Sequence, residues 1–479
     1  MTIQIQSVIK NIQNIMRQDP GVDGDAQRIS QLVWMIFLKI YDDKEKEYES
    51  LGISYKSPMT EDLRWRNWAA NAEGMTGDEL LDFVNNQLFK GLKAIPPTGD
   101  PRGLIVRQVF EDAYNYMKSG TLIRQVVNKI NEIDFNRQED RHLFNDLYEH
   151  MLKELQSAGN AGEYYTPRAL TQFVVEMIAP NLGDKILDPA CGTGGFLVNA
   201  IEHIRSLAVK SPNDEELLQN SIAGVELKPL PHLLAITNLI LHGIEIPKQI
   251  RRADMLAKPL REYGPKDRVD VVVTNPPFGG VVAQGTEANF PAEFRTRETA
   301  DLFLVLIMHL LKEGGRAGIV LPDGSLFGEG VKTKIKRKLL EECNLHTIVR
   351  LPQGVFNPYA GVNTNLIFFD KGQPTKEIWY YQLLLPEGMK QYTKNRGITF
   401  QEFEPVKEWW GNRENPPTGG ESAWKVSIDE IRARNYNLDF KNPNGAGTKE
   451  QETPKVVLSE IQKFEKQIQS ILDEIKKGL

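Results

Sequence analysis

The sequence predicts an α/β chain: a doubly wound sheet flanked by an N-terminal helical domain and a C-terminal helical tail. Three observations predict it. Short apolar runs rich in β-branched residues, such as Val269-Asp270-Val271-Val272-Val273-Thr274, read as buried strands of a parallel sheet. Between them lie stretches with apolar residues at helical spacing, and alternation of strands with helices is the doubly wound pattern. Ahead of them, residues up to about 155 carry helical periodicity alone. The expected boundaries are 1–155 for the helical domain, 156–440 for the α/β domain, and 441–479 for a linker and a coiled-coil-like helix.

In chain order, Ile29, Leu32, Val33, Ile36, Phe37 and Ile40 recur at three- and four-residue spacing, an amphipathic face, and Leu143, Leu147, Met151 and Leu155 repeat it. A break at Ile95-Pro96-Pro97-Thr98-Gly99-Asp100-Pro101 divides two helical groups. At Lys185-Ile186-Leu187-Asp188-Pro189-Ala190-Cys191-Gly192-Thr193-Gly194-Gly195-Phe196 a short apolar strand enters a glycine-rich turn. A helix with Phe196, Leu197, Ala200, Ile201 and Ile204 at helical spacing leaves it. Glycines there let a bound cofactor approach the main chain, but the turn is neither the dinucleotide fingerprint nor a phosphate-binding loop. A second strand, Ile222-Ala223-Gly224-Val225-Glu226, ends in an acid placed where α/β folds hydrogen-bond a ribose diol. A third, Arg252-Ala253-Asp254-Met255-Leu256, offers Asp254 for an adenine edge. One such acid alone reads as a helix cap; three strand-end acids in succession make that reading weak.

The fourth strand, Val269 to Thr274, runs into Asn275-Pro276-Pro277-Phe278. The carboxyl end of a buried parallel strand is where such sheets place their chemistry. Two prolines stiffen the backbone, so the Asn275 side chain and the neighbouring carbonyl form a fixed pair of acceptors beside the Phe278 ring. That arrangement suits a planar substrate with an exocyclic amine: the acceptors take its two N–H bonds and the ring stacks on its face. The amine of adenine is a poor nucleophile because its lone pair is delocalised. Drawing both hydrogens toward acceptors favours a pyramidal nitrogen and returns the lone pair to attack.

Beyond the tetrapeptide, residues 279–299 form a polar segment with few apolar anchors, a candidate for closing over an extruded base. Lys332, Lys334, Lys336, Arg337 and Lys338 cluster on one predicted helix, either as a solvated face or as a phosphate contact. Later strands are expected at 316–321, 346–351 and 365–369. After a linker near 441–454, Val457, Ile461, Phe464, Ile468, Ile471 and Ile475 step by fours and threes, a coiled-coil seam that needs a partner helix.

Composition narrows the function. The 479 residues carry Lys+Arg 58 against Asp+Glu 64, a net charge of −6, whereas a chain that grips DNA unaided carries a basic balance or patch. Cys191 and Cys343 have neither disulfide nor metal spacing, so a reducing cytoplasm is expected and Cys191 reads as a packing residue. The seven histidines lack metal spacing, and no metal is expected. The longest apolar stretch, residues 302–311, is too short to span a bilayer, so no membrane association is expected.

With these motifs together, the chain resembles the S-adenosylmethionine-dependent amino methyltransferases, in particular the modification subunit of type I restriction-modification systems. The resemblance implies a Rossmann-like methyltransferase sheet and transfer of a methyl group from S-adenosylmethionine to the N6 amine of adenine in DNA. By resemblance, Asp188, Gly192, Thr193, Gly194 and Gly195 hold the methionine end of the cofactor. Glu226 holds the ribose, Asp254 meets the adenine, and Asn275, Pro276, Pro277 and Phe278 form the catalytic tetrapeptide. The segment Glu163-Tyr164-Tyr165-Thr166-Pro167-Arg168 resembles the one that packs over the methionine end, and Arg434-Asn435-Tyr436-Asn437-Leu438-Asp439 resembles the closing motif of the type I subunit. An aromatic from the segment before the last strand, Phe356 or Tyr359, completes the base pocket. The implied partners are a specificity subunit that reads the DNA sequence, a second copy of this chain and double-stranded DNA with a flipped adenine; whether a restriction subunit joins stays open. Because the tetrapeptide also occurs in enzymes acting on protein glutamine, a glutamine N5 methyltransferase is the rival reading, with a non-catalytic assembly subunit as another.

Overall fold

The computed structural model of the chain describes residues 2–50, 55–111, 113–135, 166–357, 362–393, 396–416 and 420–444. Nine strands form one sheet: β1 Ile186–Asp188, β2 Ile222–Glu226, β3 Ile250–Arg252, β4 Val269–Thr274, β5 Leu311–Pro322, β6 Cys343–Arg350, β7 Thr364–Lys371, β8 Glu377–Gln382 and β9 Ala423–Ser427. Their order is β3-β2-β1-β4-β5-β7-β6-β8-β9. In β4, Val271, Val272 and Val273 are each 0 % exposed. Because successive side chains point to opposite faces, both faces of the sheet are covered there.

Five strands, β3, β2, β1, β4 and β5, run parallel. The all-parallel expectation fails beyond them: β7 inserts between β5 and β6 antiparallel to both, β8 is parallel to β6, and β9 is antiparallel to β8. An apolar run such as Leu366-Ile367-Phe368-Phe369 looks the same in either direction, since a strand buried on both faces has no polar alternation to orient it. The last two strands, β8 and β9, add to the expected set. Their facing residues Tyr380 and Trp424 are stacked with centroids 5.3 Å apart, an aromatic cross-strand pair.

Close packing of helices on the sheet explains two strand glycines. A Cβ at Gly318 of β5 would lie 2.7 Å from Val174 of the helix Arg168–Ile178, and one at Gly224 of β2 would lie 2.8 Å from Leu197 of the helix Gly195–Leu207. Phe173 of the first helix stacks on Phe403 and meets Phe368 of β7 edge-on. The apolar stretch near 302–311 is the helix Thr299–Leu310, packed inside the protein. Among the described residues, no helix is long and apolar enough to cross a membrane.

The N-terminal helix Asp25–Ser50 buries the expected face, but it also buries Trp34, Met35 and Leu38, each 0 % exposed. It is a central helix with no solvent face over that stretch. Two of its buried acids are paired with cations, Asp42 with Arg66 at 2.7 Å and Lys46 at 3.0 Å and Asp43 with Lys39, while buried Glu45 accepts from the Tyr55 hydroxyl at 2.7 Å. Buried charges without such partners would be too costly to retain. Arg124 ties the surrounding segments by donating to the carbonyls of Trp68, Ala69, Asn71 and Met75. The proline-rich break separates the helix Phe89–Lys93 from Pro101–Glu111. The repeat from Leu143 to Leu155 and the seam from Val457 to Ile475 lie outside the described residues.

Candidate active site at the carboxyl edge of the sheet

Since β3, β2, β1 and β4 are parallel neighbours, their carboxyl ends lie side by side, about 5 Å apart strand to strand. This brings Asp254, Glu226, Asp188 and Asn275 to one edge of the sheet. After β1 the chain turns through Gly192 at φ 53° and Gly194 at φ 82°, a left-handed region that favours glycine. Three hydrogen bonds set the turn: Cys191 N–H donates to the Val225 carbonyl at 2.9 Å, Gly194 N–H to the Cys191 carbonyl at 2.7 Å, and Asn238 Nδ2 to the Thr193 carbonyl at 3.0 Å. The two glycines differ in purpose. A Cβ at Gly192 would meet nothing within 4 Å, leaving the main chain open on that side. At Gly194 it would meet Leu239 at 3.0 Å and Ala235 at 3.5 Å on the helix Pro229–Leu241. A side chain at Gly194 would thus press on that helix, whereas at Gly192 the main chain is open.

Glu226 accepts from Gly192 N–H at 3.0 Å through Oε2 and from Lys228 N–H at 2.7 Å through Oε1. Burial pushes its carboxyl up, while those main-chain donors pull it back. Each oxygen keeps a lone pair for a further donor such as a hydroxyl. Asp254 is exposed just beyond β3, with Oδ1 accepting from Leu256 N–H at 2.8 Å. Asp188 is 1 % exposed; one oxygen, Oδ1, accepts from Thr274 Oγ1 at 2.6 Å and from Ala190 N–H at 3.1 Å. Burial pushes its carboxyl up to about 7, opposed by the Thr274 and Ala190 hydrogen bonds and reinforced by the nearby Glu226 charge. Cys191 is buried, and its thiol is held well above the ordinary range by burial and by both acids. A thiol so held is a packing residue and no nucleophile.

On the next strand, Asn275 donates from Nδ2 to Thr166 Oγ1 at 2.9 Å. Its Oδ1 is buried and has no hydrogen-bond partner among the described residues. A buried amide oxygen without a partner is an acceptor awaiting a donor. Phe278 is 3 % exposed, and Phe356, equally covered, meets it edge-on with centroids 5.7 Å apart and planes at 82°. Phe356 thus stands beside the tetrapeptide, while Tyr359, Glu163, Tyr164 and Tyr165 lie outside the described residues. Thr166 reaches the site, and Pro167 caps the helix Arg168–Ile178. Arg168 points its guanidinium to Glu202 at 3.2 Å on the neighbouring helix Gly195–Leu207, an ion pair between helices.

Sequence reasoning passed over three polar residues that build this edge. Thr274 links the ends of β4 and β1, Asn238 holds the glycine turn, and Asn199 donates to Thr171 at 2.7 Å and to the Gly195 carbonyl at 3.0 Å. Their signal was a lone polar residue inside an apolar run, which must find a partner once buried.

Two other expectations change. The segment 279–299 is pinned: Phe290 and Phe294 are buried, Asn289 donates to the Leu256 and Ala257 carbonyls, and Val282 N–H donates to the Arg297 carbonyl. The basic cluster lies on the helix Val331–Glu342, but Lys332 pairs with Asp301 and Glu298, Arg337 with Glu341, and Lys338 with Glu342. Lys336 is 2 % exposed and donates to the Leu326 and Gly328 carbonyls. Salt bridges and burial occupy most of a cluster that local charge alone presents as a solvated face or a phosphate contact. The Arg434 to Asp439 motif docks on the same side: Leu438 N–H donates to the Leu326 carbonyl and Asp439 accepts from Arg350 at the end of β6. Among the described residues no group of three or more His, Cys, Asp or Glu side chains could hold a metal ion.

Residues 139–452 match the N-6 DNA Methylase family and residues 5–130 match the HsdM N-terminal domain. Among curated proteins, the chain is 58 % identical over 446 residues to the type I restriction enzyme EcoEI methylase subunit of Escherichia coli, covering 92 % of this chain and 91 % of that one. It is 30 % identical to the StySPI methylase subunit of Salmonella potsdam, over 86 % of this chain and 78 % of that one. Among solved structures, a modification subunit of a putative type I restriction enzyme from Vibrio vulnificus YJ016 superposes with a TM-score of 0.83 at 45 % identity, covering 93 % of this chain and 98 % of that one. A chain from a study of complex assembly and conformational transition in the type I R-M system superposes with a TM-score of 0.81 at 37 % identity, covering 98 % and 97 %.

Proposed function

The chain belongs to the N-6 DNA Methylase family and is a methylase subunit of a type I restriction-modification system, an adenine-specific DNA methyltransferase; from that membership we propose how its residues serve the reaction. The observation that carries the proposal is the unpartnered, buried Oδ1 of Asn275 at the end of β4. Asn275 Oδ1 and the Pro276 carbonyl accept from the N6 amine of a target adenine, and Phe278 stacks on the base. An amine inside a duplex cannot reach these acceptors, so the base is first extruded. Phe278 and Phe356, now edge to face, part to admit it. With both N–H bonds drawn to acceptors the nitrogen becomes pyramidal and nucleophilic, and once it has gained the methyl group it carries a positive charge and loses its surplus proton to water. When bound, S-adenosylmethionine supplies an electrophilic methyl group on sulfonium sulfur. Preorganised acceptors and orientation provide the acceleration, with no metal required.

The cofactor's holders on this reading are Glu226 for the ribose hydroxyls and Asp254 for the adenine edge. The turn from Asp188 through Gly192 and Thr193 takes the methionine end. The lone pairs left on Glu226 and the open main chain at Gly192 fit that assignment. Glu163, Tyr164, Tyr165, Thr166, Pro167 and Arg168 keep the cofactor role that resemblance gives the segment, with Thr166 also bonded to Asn275 and Arg168 also paired to Glu202. A specificity subunit supplies sequence reading and most of the DNA grip, which a chain of net charge −6 is poorly equipped to supply alone. The segment 441–479 is assigned to assembly with that subunit, in a complex that also holds a second copy of this chain, beyond the domains 1–155 and 156–440. Free thiols at Cys191 and Cys343 suit the cytoplasm.

The test is to purify the chain with its genomic specificity subunit and map N6-methyladenine in DNA exposed to the complex. Asn275→Ala should keep its melting temperature yet lose methyl transfer by about a hundredfold or more. Full methylation by that variant refutes the assignment of Asn275. Methylated glutamine in protein, with DNA untouched, would support the rival reading instead.

A further inference from the structure

Resting on the reading of Asn275 as acceptor for the target amine, we propose that Thr166 is a positioning residue whose hydroxyl sets the orientation of the Asn275 amide. A primary amide has two ends of nearly equal shape and opposite hydrogen-bonding character, so sterics alone do not choose which end faces the substrate. The choice matters, because a turned amide would meet the substrate amine donor against donor. Here Nδ2 lies 2.9 Å from Thr166 Oγ1, and among the described residues Oδ1 is left without a partner. Turning the amide would let the hydroxyl donate to Oδ1, but would aim the Nδ2 hydrogens to where Oδ1 now finds no partner among the described residues. Unpaired buried N–H groups are rarer and costlier than an under-satisfied carbonyl oxygen. The hydroxyl therefore favours the orientation that accepts from the substrate.

Thr166 is well placed to act as a reference point. It sits 109 residues from Asn275 in sequence and immediately precedes Pro167, whose carbonyl accepts from Leu170 and Thr171 N–H at the start of the helix Arg168–Ile178. That helix is tied to its neighbour by the Arg168–Glu202 ion pair and by Asn199 donating to the buried Thr171 hydroxyl. The amide is thus registered against a rigid helix, while Pro276 and Pro277 stiffen its own backbone. Residual freedom lies in the terminal amide torsion, which is broad and roughly two-fold. The Thr166 hydroxyl restrains that torsion.

The experiment compares Thr166→Val, which removes the acceptor at nearly constant shape, with Thr166→Ser, which retains it. Each is purified with the specificity subunit and assayed in single turnover with tritiated S-adenosylmethionine and genomic DNA from a host lacking adenine methylation. Thr166→Val should slow methyl transfer at saturating cofactor about ten- to hundredfold, the scale of losing one oriented hydrogen bond at a reacting centre, while Thr166→Ser stays within about threefold. Cofactor affinity by calorimetry should be the same in all three proteins, while Thr166→Val, which leaves Nδ2 without its acceptor, should melt slightly lower. An unchanged rate in Thr166→Val overturns the proposal, as does equal loss in Thr166→Ser. Cofactor affinity that falls in step with the rate also overturns it, and assigns the hydroxyl to the cofactor. Asn275→Ala keeps the two readings apart: if it is inactive and Thr166→Val is not, only the positioning role falls; if Asn275→Ala is fully active, both fall.

Discussion

Replacing Asp188 by Asn should stabilise the free protein at neutral and alkaline pH. Both donors to Asp188, Thr274 Oγ1 and Ala190 N–H, reach the same oxygen, so an Asn carbonyl can accept both without moving. What changes is the ionisation. In the folded chain the carboxyl holds its proton up to about 7, against an ordinary 3.8, chiefly because burial penalises the charged form. Between these values the folded state binds a proton that the unfolded state has released, so stability is full below about pH 4, falls as pH rises through the window, and is lost above about pH 7. The span from 3.8 to about 7, at 1.36 kcal/mol per pH unit, amounts to roughly 4 kcal/mol as an upper figure. Asn carries no such loss. Urea unfolding of both proteins without cofactor, followed by circular dichroism from pH 4 to 8.5, should show curves that coincide at the acid end and separate in favour of Asp188→Asn as pH rises. Cofactor affinity should move the other way, since the charged oxygen lies at the turn assigned to the methionine end. Parallel pH profiles, or a mutant less stable throughout, would refute the reasoning that this carboxylate is held at a cost to the fold.

The remaining predictions concern other parts of the same edge. Gly194→Ala should destabilise the protein by about 1–2 kcal/mol, because it combines a left-handed backbone with the 3.0 Å approach to Leu239; a lowered melting temperature checks this. Gly192→Ala meets no neighbour, so its loss in cofactor affinity by calorimetry should exceed its loss in stability. Arg337→Ala should leave the salt dependence of DNA binding unchanged, since Arg337 already pairs with Glu341; a salt slope smaller by about one would mean it contacts phosphate. Deleting residues from Pro454 onward, or placing Glu at both Ile461 and Ile468, should weaken co-purification with the specificity subunit and lower site-specific methylation while cofactor binding persists. Undiminished assembly by both variants would remove the seam from the interface.

The chemistry of the site was legible in the chain because it is written locally. The glycine turn after β1, the acids closing β2 and β3, and the Asn-Pro-Pro-Phe closing β4 each combine a strand's apolar pattern with the polar residue that ends it, and parallel pairing then brings such ends together. The same local patterns said nothing about direction or partners. They did not show that β7 runs antiparallel between β5 and β6, that Gly194 faces Leu239, that Arg168 reaches Glu202, or that the lysines of 332–338 are mostly consumed by acids and carbonyls. The sequence by itself located most of the strands and the polar residues near their carboxyl ends, though β3 lies at Ile250–Arg252, two residues short of Asp254, where the apolar pattern had put a strand over 252–256. Tertiary structure alone decided that Thr166 meets Asn275 and that Thr274 meets Asp188, because hydrogen-bond pairing across 109 and 86 residues depends on which faces of the folded chain come into contact, and no local periodicity encodes that.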